Sequence, residues 1–163
     1  MQFAKDSFYI ALRDRLAALN PARVVTINGN QRPGILVCEN ERPGLDALLT
    51  GVFCLNWGDE SAIAAPGAQP ELRTLSCAID YRVQGSDDYD NADRGRQLTA
   101  MDSELLSISL PPSAPKCDYT QTPAVALGTT ICWTRPKLAA AKNDGKLLTR
   151  SASLEIYFFP EGA

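Results

Sequence analysis

The chain has no histidine. That absence removes the commonest general acid–base near neutral pH and the commonest metal ligand. It also makes a Ser-His-Asp or Cys-His arrangement impossible. Long hydrophobic runs are missing too: nothing approaches the roughly 20 apolar residues that span a bilayer. The first residues, MQFAKDSFYIALRDRL, are charged throughout and lack the apolar centre of a signal peptide. No GxxxxGK[ST] or GxGxxG occurs, so no phosphate cradle is visible. The five cysteines, Cys38, Cys54, Cys77, Cys117 and Cys132, lie too far apart for CxxC metal or redox motifs. Their odd number, without a secretory leader, points to a reducing compartment. Four of them sit in strand-like apolar runs, as small core residues do. Concentrated positive charge is also lacking. The 16 Lys and Arg are scattered and face 19 Asp and Glu, for a net charge of −3. That balance argues against nucleic acid as the main partner.

What is present fits one soluble domain over residues 1–163, with 45% hydrophobic and 21% charged residues. A chain of this length buries about two thirds of its unfolded surface, so it needs no metal or disulfide staple.

Residues 4–19 predict a helix, with Phe8, Leu12, Leu16 and Leu19 on one face. Asn20–Pro21 ends it. Segments 23–28 and 35–39 then read as a hairpin across the turn 29–34. The stretch around LDALL suggests one helical turn, 52–57 a third strand, and 58–71 an exposed loop. The longest unit is 72–110. Leu75, Cys77, Ile79, Tyr81 and Val83 alternate with polar residues, so one strand face is in the core and the other is wet. An acidic turn leads into a helix over 90–109 with Leu98, Met101, Leu105 and Ile108 on one stripe. Residues 111–128 read as a proline-rich excursion and 129–135 as a strand. A turn centred on Asn143–Asp144–Gly145 precedes a last strand, 147–159, whose inward set is Ala152, Leu154, Ile156 and Phe158. Strands in sequence, with both helices free to pack on one face, give an α+β two-layer sandwich with a mainly antiparallel sheet.

The acidic run Asp87, Asp88, Asp90, Asp93 invites a cation site. Counted from Asp88, however, an EF-hand loop would need Gly where Asp93 stands and Glu where Thr99 stands. These carboxylates read instead as caps for the free N–H groups of the following helix. Asp80 and Glu155 lie on strands, where they are solvated or bridged to Arg82 and Arg150 rather than paired for glycoside hydrolysis. A serine–lysine pair is left open, with Lys5, Lys116, Lys137, Lys142 and Lys146 read as standing in no SxxK context. Arg94 and Arg96 stand where a helix N-terminus disfavours cations. They pair with Asp87, Asp90 or Asp93 locally, or with a neighbouring subunit.

The opening helix FYIALRDRLAAL, the strand-to-helix unit 72–110 and the C-terminal hairpin ending in LEIYFF carry a resemblance. In size and element order the chain is similar to the tail-terminator (tail-completion) proteins of long-tailed bacteriophages and prophages. The resemblance implies a homo-oligomeric ring, commonly hexameric, that caps the tail tube and docks to the head connector. It implies tail-tube and head-connector proteins as partners, no membrane, no catalysis and no cofactor. It places the protein in the bacterial host's cytoplasm during assembly and then in the virion tail. A related head–tail connector is not separable from a terminator on this ground. A closed ring joins one patch to a different patch. The acidic candidates are Asp87, Asp88, Asp90 and Asp93, with Arg94 and Arg96 beside them. The basic candidates are Arg135, Lys137 and Arg150. The alternative is a small-ligand-binding or enzymatic α+β domain, with a pocket between helices and sheet lined by Trp57, Trp133 and Tyr81.

Overall fold

Hydrophobic spacing decides where each element turns its face. The computed structural model describes residues 1–40, 49–63, 71–87, 90 and 92–160. In α1 (Gln2–Leu19) the side chains of Phe8, Leu12 and Leu16 are fully buried. Leu19 is not: it is 50% exposed, in the last turn before the chain leaves the helix at Asn20.

The hairpin is tighter than the turn 29–34 predicts. β1 (Val24–Ile27) pairs with β2 (Asn30–Pro33), residues expected to form the turn. Asn28 and Gly29 both take positive φ, 49° and 79°, the two-residue turn that Asn-Gly favours between antiparallel strands. At Gly34 the amide donates to the Arg23 carbonyl and the carbonyl accepts from Phe53 N–H. A Cβ there would press on Arg23 Cγ at 3.0 Å. β3 (Ile35–Val37) therefore leaves the hairpin and pairs in parallel with β4 (Phe53–Ala62).

β4 also runs through part of the expected loop 58–71. A bulge between Trp57 and Glu60 lets it stay paired as far as Ala62, and Gly58 permits the close approach to Ser76. The expected helical turn at LDALL and residues 64–70 lie outside the described residues, apart from Leu49.

The centre of the sheet is β5 (Arg73–Gln84) against β10 (Leu147–Phe158), antiparallel over 12 residue pairs. α2 (Arg94–Ile108) lies between them in sequence. The excursion 111–128 contains β6 (Ser113–Asp118), which holds Pro115. β6 ends the sheet order β3-β4-β5-β10-β7-β6, and an edge strand tolerates proline. β7 (Val125–Trp133), β8 (Lys137–Leu138) and β9 (Lys142–Asp144) follow one another along the other side of β10. The final turn falls at Gly145–Lys146, past the expected centre.

Both helices cover one face, and the sheet is mainly antiparallel, so the fold is α+β. Leu98, Met101, Leu105 and Ile108 of α2 pack with the α1 stripe onto the inward residues of β5 and β10. A smaller cluster of Val25, Leu36 and Val52 joins the first hairpin to β3 and β4.

Polar contacts fix α2 along its length. Asp102, only 8% exposed, accepts from Tyr81 Oη at 2.6 Å and from Arg150 Nη1 at 2.9 Å. Glu104 accepts from Asn20 Nδ2 and from the Arg23 guanidinium. At the C-terminal end, Arg15 donates to the carbonyls of Ile108, Pro111 and Ser113. It lies 5.3 Å from the ring centroid of Trp133, whose Nε1 donates to the Ser109 carbonyl. These bonds satisfy carbonyls that a helix end otherwise leaves bare.

Two stability outcomes follow from this arrangement. In urea unfolding, Tyr81→Phe is expected to cost about 1 kcal/mol, whereas Asp102→Ala costs about 3 kcal/mol because it strands the Arg150 cation. Equal losses would contradict the clasp. Arg15→Ala should cost about 2 kcal/mol, and Arg15→Lys should not restore it, since one ammonium cannot reproduce the fork.

Candidate functional site

The face of the sheet opposite the helices carries the polar half of every alternation. Strand register arranges it in rows. Thr149 of β10 stands opposite Arg82 of β5 on one side and Lys142 of β9 on the other. The next row joins Cys54, Asp80 and Ser151, and the one after it Asn56, Ala78, Ser153 and Lys137. Partners in a row point to the same face.

The face is concave. A cavity of about 660 Å³ lies over the first two rows, with Leu49, Val52 and Trp57 among its apolar walls. A second, of about 350 Å³, lies over Ser76, Ala78, Ser153 and Glu155. Asn56 Nδ2 donates to Asp80 Oδ2 at 2.8 Å, so that carboxylate is occupied. Among the described residues neither Arg82 nor Lys142 forms an ion pair.

The candidate contact residues scatter. Asp87 and Asp90 are exposed, and the Asp90 amide donates to the Asp87 carbonyl at 3.2 Å. Asp88 lies outside the described residues. Asp93 occupies the N-cap position of α2 but makes no side-chain cap bond there. It accepts instead from the Ser86 amide at 2.9 Å and from Gln97 Nε2 at 2.7 Å. Those bonds, Ser86's first, hold its carboxyl below the ordinary range. Capping is thus replaced by a clamp on the β5–α2 connection.

Arg94 reaches the β9–β10 turn of its own chain, donating to Asn143 Oδ1 and to the Gly145 carbonyl. Arg96, Arg135 and Lys137 are exposed. Arg150 does not join Arg135 and Lys137: it turns inward to Asp102, because alternate residues of β10 face opposite sides. Asp80 and Glu155 are not strand partners, and neither is bridged to Arg150. Asp80 stands opposite Ser151, and Glu155, opposite Ser76, accepts from Tyr157 Oη.

The other groups that could serve chemistry have specific surroundings. Contrary to the reading that no lysine has it, Ser-x-x-Lys spacing does occur, at Ser113–Lys116, but in a strand those side chains leave opposite faces. Lys116 is buried and donates to the carbonyls of Phe159 and Pro160. Burial, and then the Cys38 thiol, pushes Cys54 up to about 12. Burial also lifts Cys77 to about 12. Thiols held protonated in this way are poor nucleophiles. Among the described residues, no group of three or more Cys, Asp or Glu is placed to hold a metal ion. Tyr81 and Trp133 belong to the core, in edge contacts with Phe53 and Phe8. Of the three residues expected to line a pocket, Trp57 and Tyr81 border the larger cavity and Trp133 does not, and the outward-facing Asp80, Arg82 and Ser151 border it as well.

Sequence reasoning named Arg82 as a bridging partner for Asp80 or Glu155, a bridge that does not form among the described residues, and did not raise Lys142 as a contact residue. Alternation on β5 was the available signal for Arg82. Its alignment with Thr149 depends on a pairing 67 residues apart in sequence, and the β9–β10 hairpin then brings Lys142 alongside. No protein-family model matches the chain, and no curated protein matches it significantly in sequence.

The thiols supply a direct check of this geometry. At pH 8 a disulfide reagent should label exposed Cys132 quickly, half-buried Cys54 more slowly, and buried Cys77 only on unfolding. Because both folded-state values are raised, their contribution to stability is whole below the ordinary value of 9.0. It is lost as pH climbs toward about 12. Rapid native labelling of Cys77 would contradict its burial.

Proposed function

We propose that the protein is a structural assembly subunit: a ring-forming tail terminator that closes the tail tube of a phage or prophage and docks to its head connector. The observation that carries this reading is the one-sided layering. Two helices and a continuous core brace one face of the sheet, and a polar, concave face is left for contact. The β6–β7 hairpin adds exposed apolar side chains, Val125 and Leu127, at the sheet's edge. A head-to-tail ring needs a rigid body with different patches on different sides, and this layering supplies them. The resemblance in element order supports the same reading.

The larger cavity favours a second reading, a domain that binds a small anionic ligand on the open face. Light scattering after size exclusion, at low and high salt, with negative-stain microscopy, separates the two. The assembly reading expects discrete oligomers and ring-shaped particles, alone or on addition of tail-tube protein. A monomer at every salt and protein concentration, with and without tube protein, overturns it.

A further inference from the structure

We infer that the rows Arg82–Thr149–Lys142 and Cys54–Asp80–Ser151 form a binding site for a small organic monocarboxylate, its carboxylate on the two cations and its apolar body along the second row. This rests on the second reading above, a small anionic ligand on the open face, and names the ligand's class. It does not require the chain to assemble.

Strand register builds the site. Arg82 and Lys142 flank Thr149 from both neighbouring strands. Two strand spacings, about 10 Å, separate their Cα atoms. Long, flexible Arg and Lys side chains can converge on one oxyanion across that gap. The second row stands two residues further along β5 and β10, about 7 Å away. Ala139 continues it, its amide donating to the Ser151 carbonyl at 2.9 Å. All of these residues border the cavity of about 660 Å³, inside the range of roughly 300–1,000 Å³ that small-molecule sites occupy.

Charge selects the ligand. Arg82 is half-buried, yet its side chain has no hydrogen bond or ion pair among the described residues, and Lys142 has no ion pair. A guanidinium offers five donors in a fork that matches the two oxygens of a carboxylate. Two of the cavity's other charged residues are matched inside the chain, Arg150 by Asp102 at 2.9 Å and Glu39 by Lys5 at 3.3 Å. Asp80 accepts from the uncharged Asn56 amide and keeps its charge. Two cations and one carboxylate leave a single positive charge, which a monoanion balances and a phosphate dianion exceeds. Thr149 Oγ1 donates to the Lys142 carbonyl at 3.4 Å, so recognition falls to the two cations. Both ends of the second row are apolar. Burial, ahead of the Cys38 thiol, keeps Cys54 protonated, and Ala139 and Ala140 border the opposite end. A carboxylate joined to an apolar body matches that order of cations first and apolar groups beyond.

Titrations followed by amide chemical shifts at low salt test this. The probes are acetate, hexanoate and phenylacetate, with benzyl alcohol as the uncharged control and phenyl phosphate as the dianion. Hexanoate and phenylacetate should move the amides of residues 80–82 and 149–151 saturably, and bind more tightly than acetate or phenyl phosphate; benzyl alcohol should not move them. Arg82→Gln/Lys142→Gln, checked for folding by circular dichroism, should weaken phenylacetate about 10-fold or more. Equal affinity of wild type and the folded variant for phenylacetate overturns this site. Phenyl phosphate binding there more tightly than every carboxylate overturns the ligand class and leaves the anion reading standing. If no anion moves those amides in wild type, both fall.

Discussion

Asp102 lies where the helix layer meets the middle of the sheet, and what surrounds its carboxylate holds the two layers in register. Its oxygens face Tyr81 from β5 and Arg150 from β10, so one helical residue engages both central strands. A buried carboxylate is costly unless charge and hydrogen bonds offset its lost hydration. Here both are supplied, and burial followed by the bond to Asp102 raises the Tyr81 hydroxyl well above its ordinary value, which keeps it a donor. Glu104 with Arg23, and Arg15 with the carbonyls after α2, repeat the device at other points along the helix.

The clasp has a consequence on the far side of the sheet. Neighbouring residues in a strand leave opposite faces. Placing Tyr81 and Arg150 inward puts Arg82 and Thr149 outward, on adjacent strands, and β9 adds Lys142 to the same row. The inner pairs bind helix to sheet. Among the described residues no helix lies above the outer row. The same strand register thus sets both the stability of the body and the character of its exposed face.

Much of the body is legible in the amino-acid order. The stripes Phe8–Leu12–Leu16 and Leu98–Met101–Leu105–Ile108 and the alternations of β5 and β10 are local patterns, and each is buried as its period predicts. The misread segments are those where a local signal competed with pairing. Asn28–Gly29 set the turn earlier than the Pro33–Gly34 cluster suggested, which freed β3 to pair in parallel. Gly58 resembled a strand end but serves a bulge, and Pro115 resembled loop but lies on an edge strand. The candidate contact residues were chosen by like-signed clustering in sequence. That criterion cannot tell that Arg150 faces inward, that Arg94 is held by its own chain, or that Arg82 and Lys142 share a row.

The central claim is that the Asp102 carboxylate, held by Tyr81 and Arg150, locks the helix layer to the middle of the sheet. A double-mutant cycle in urea unfolding, with Asp102→Ala, Arg150→Ala and the two combined, tests it most directly. The account predicts that the double variant loses at least about 1 kcal/mol less than the two single losses together, because the second removal relieves a stranded charge. Losses that simply add would contradict it.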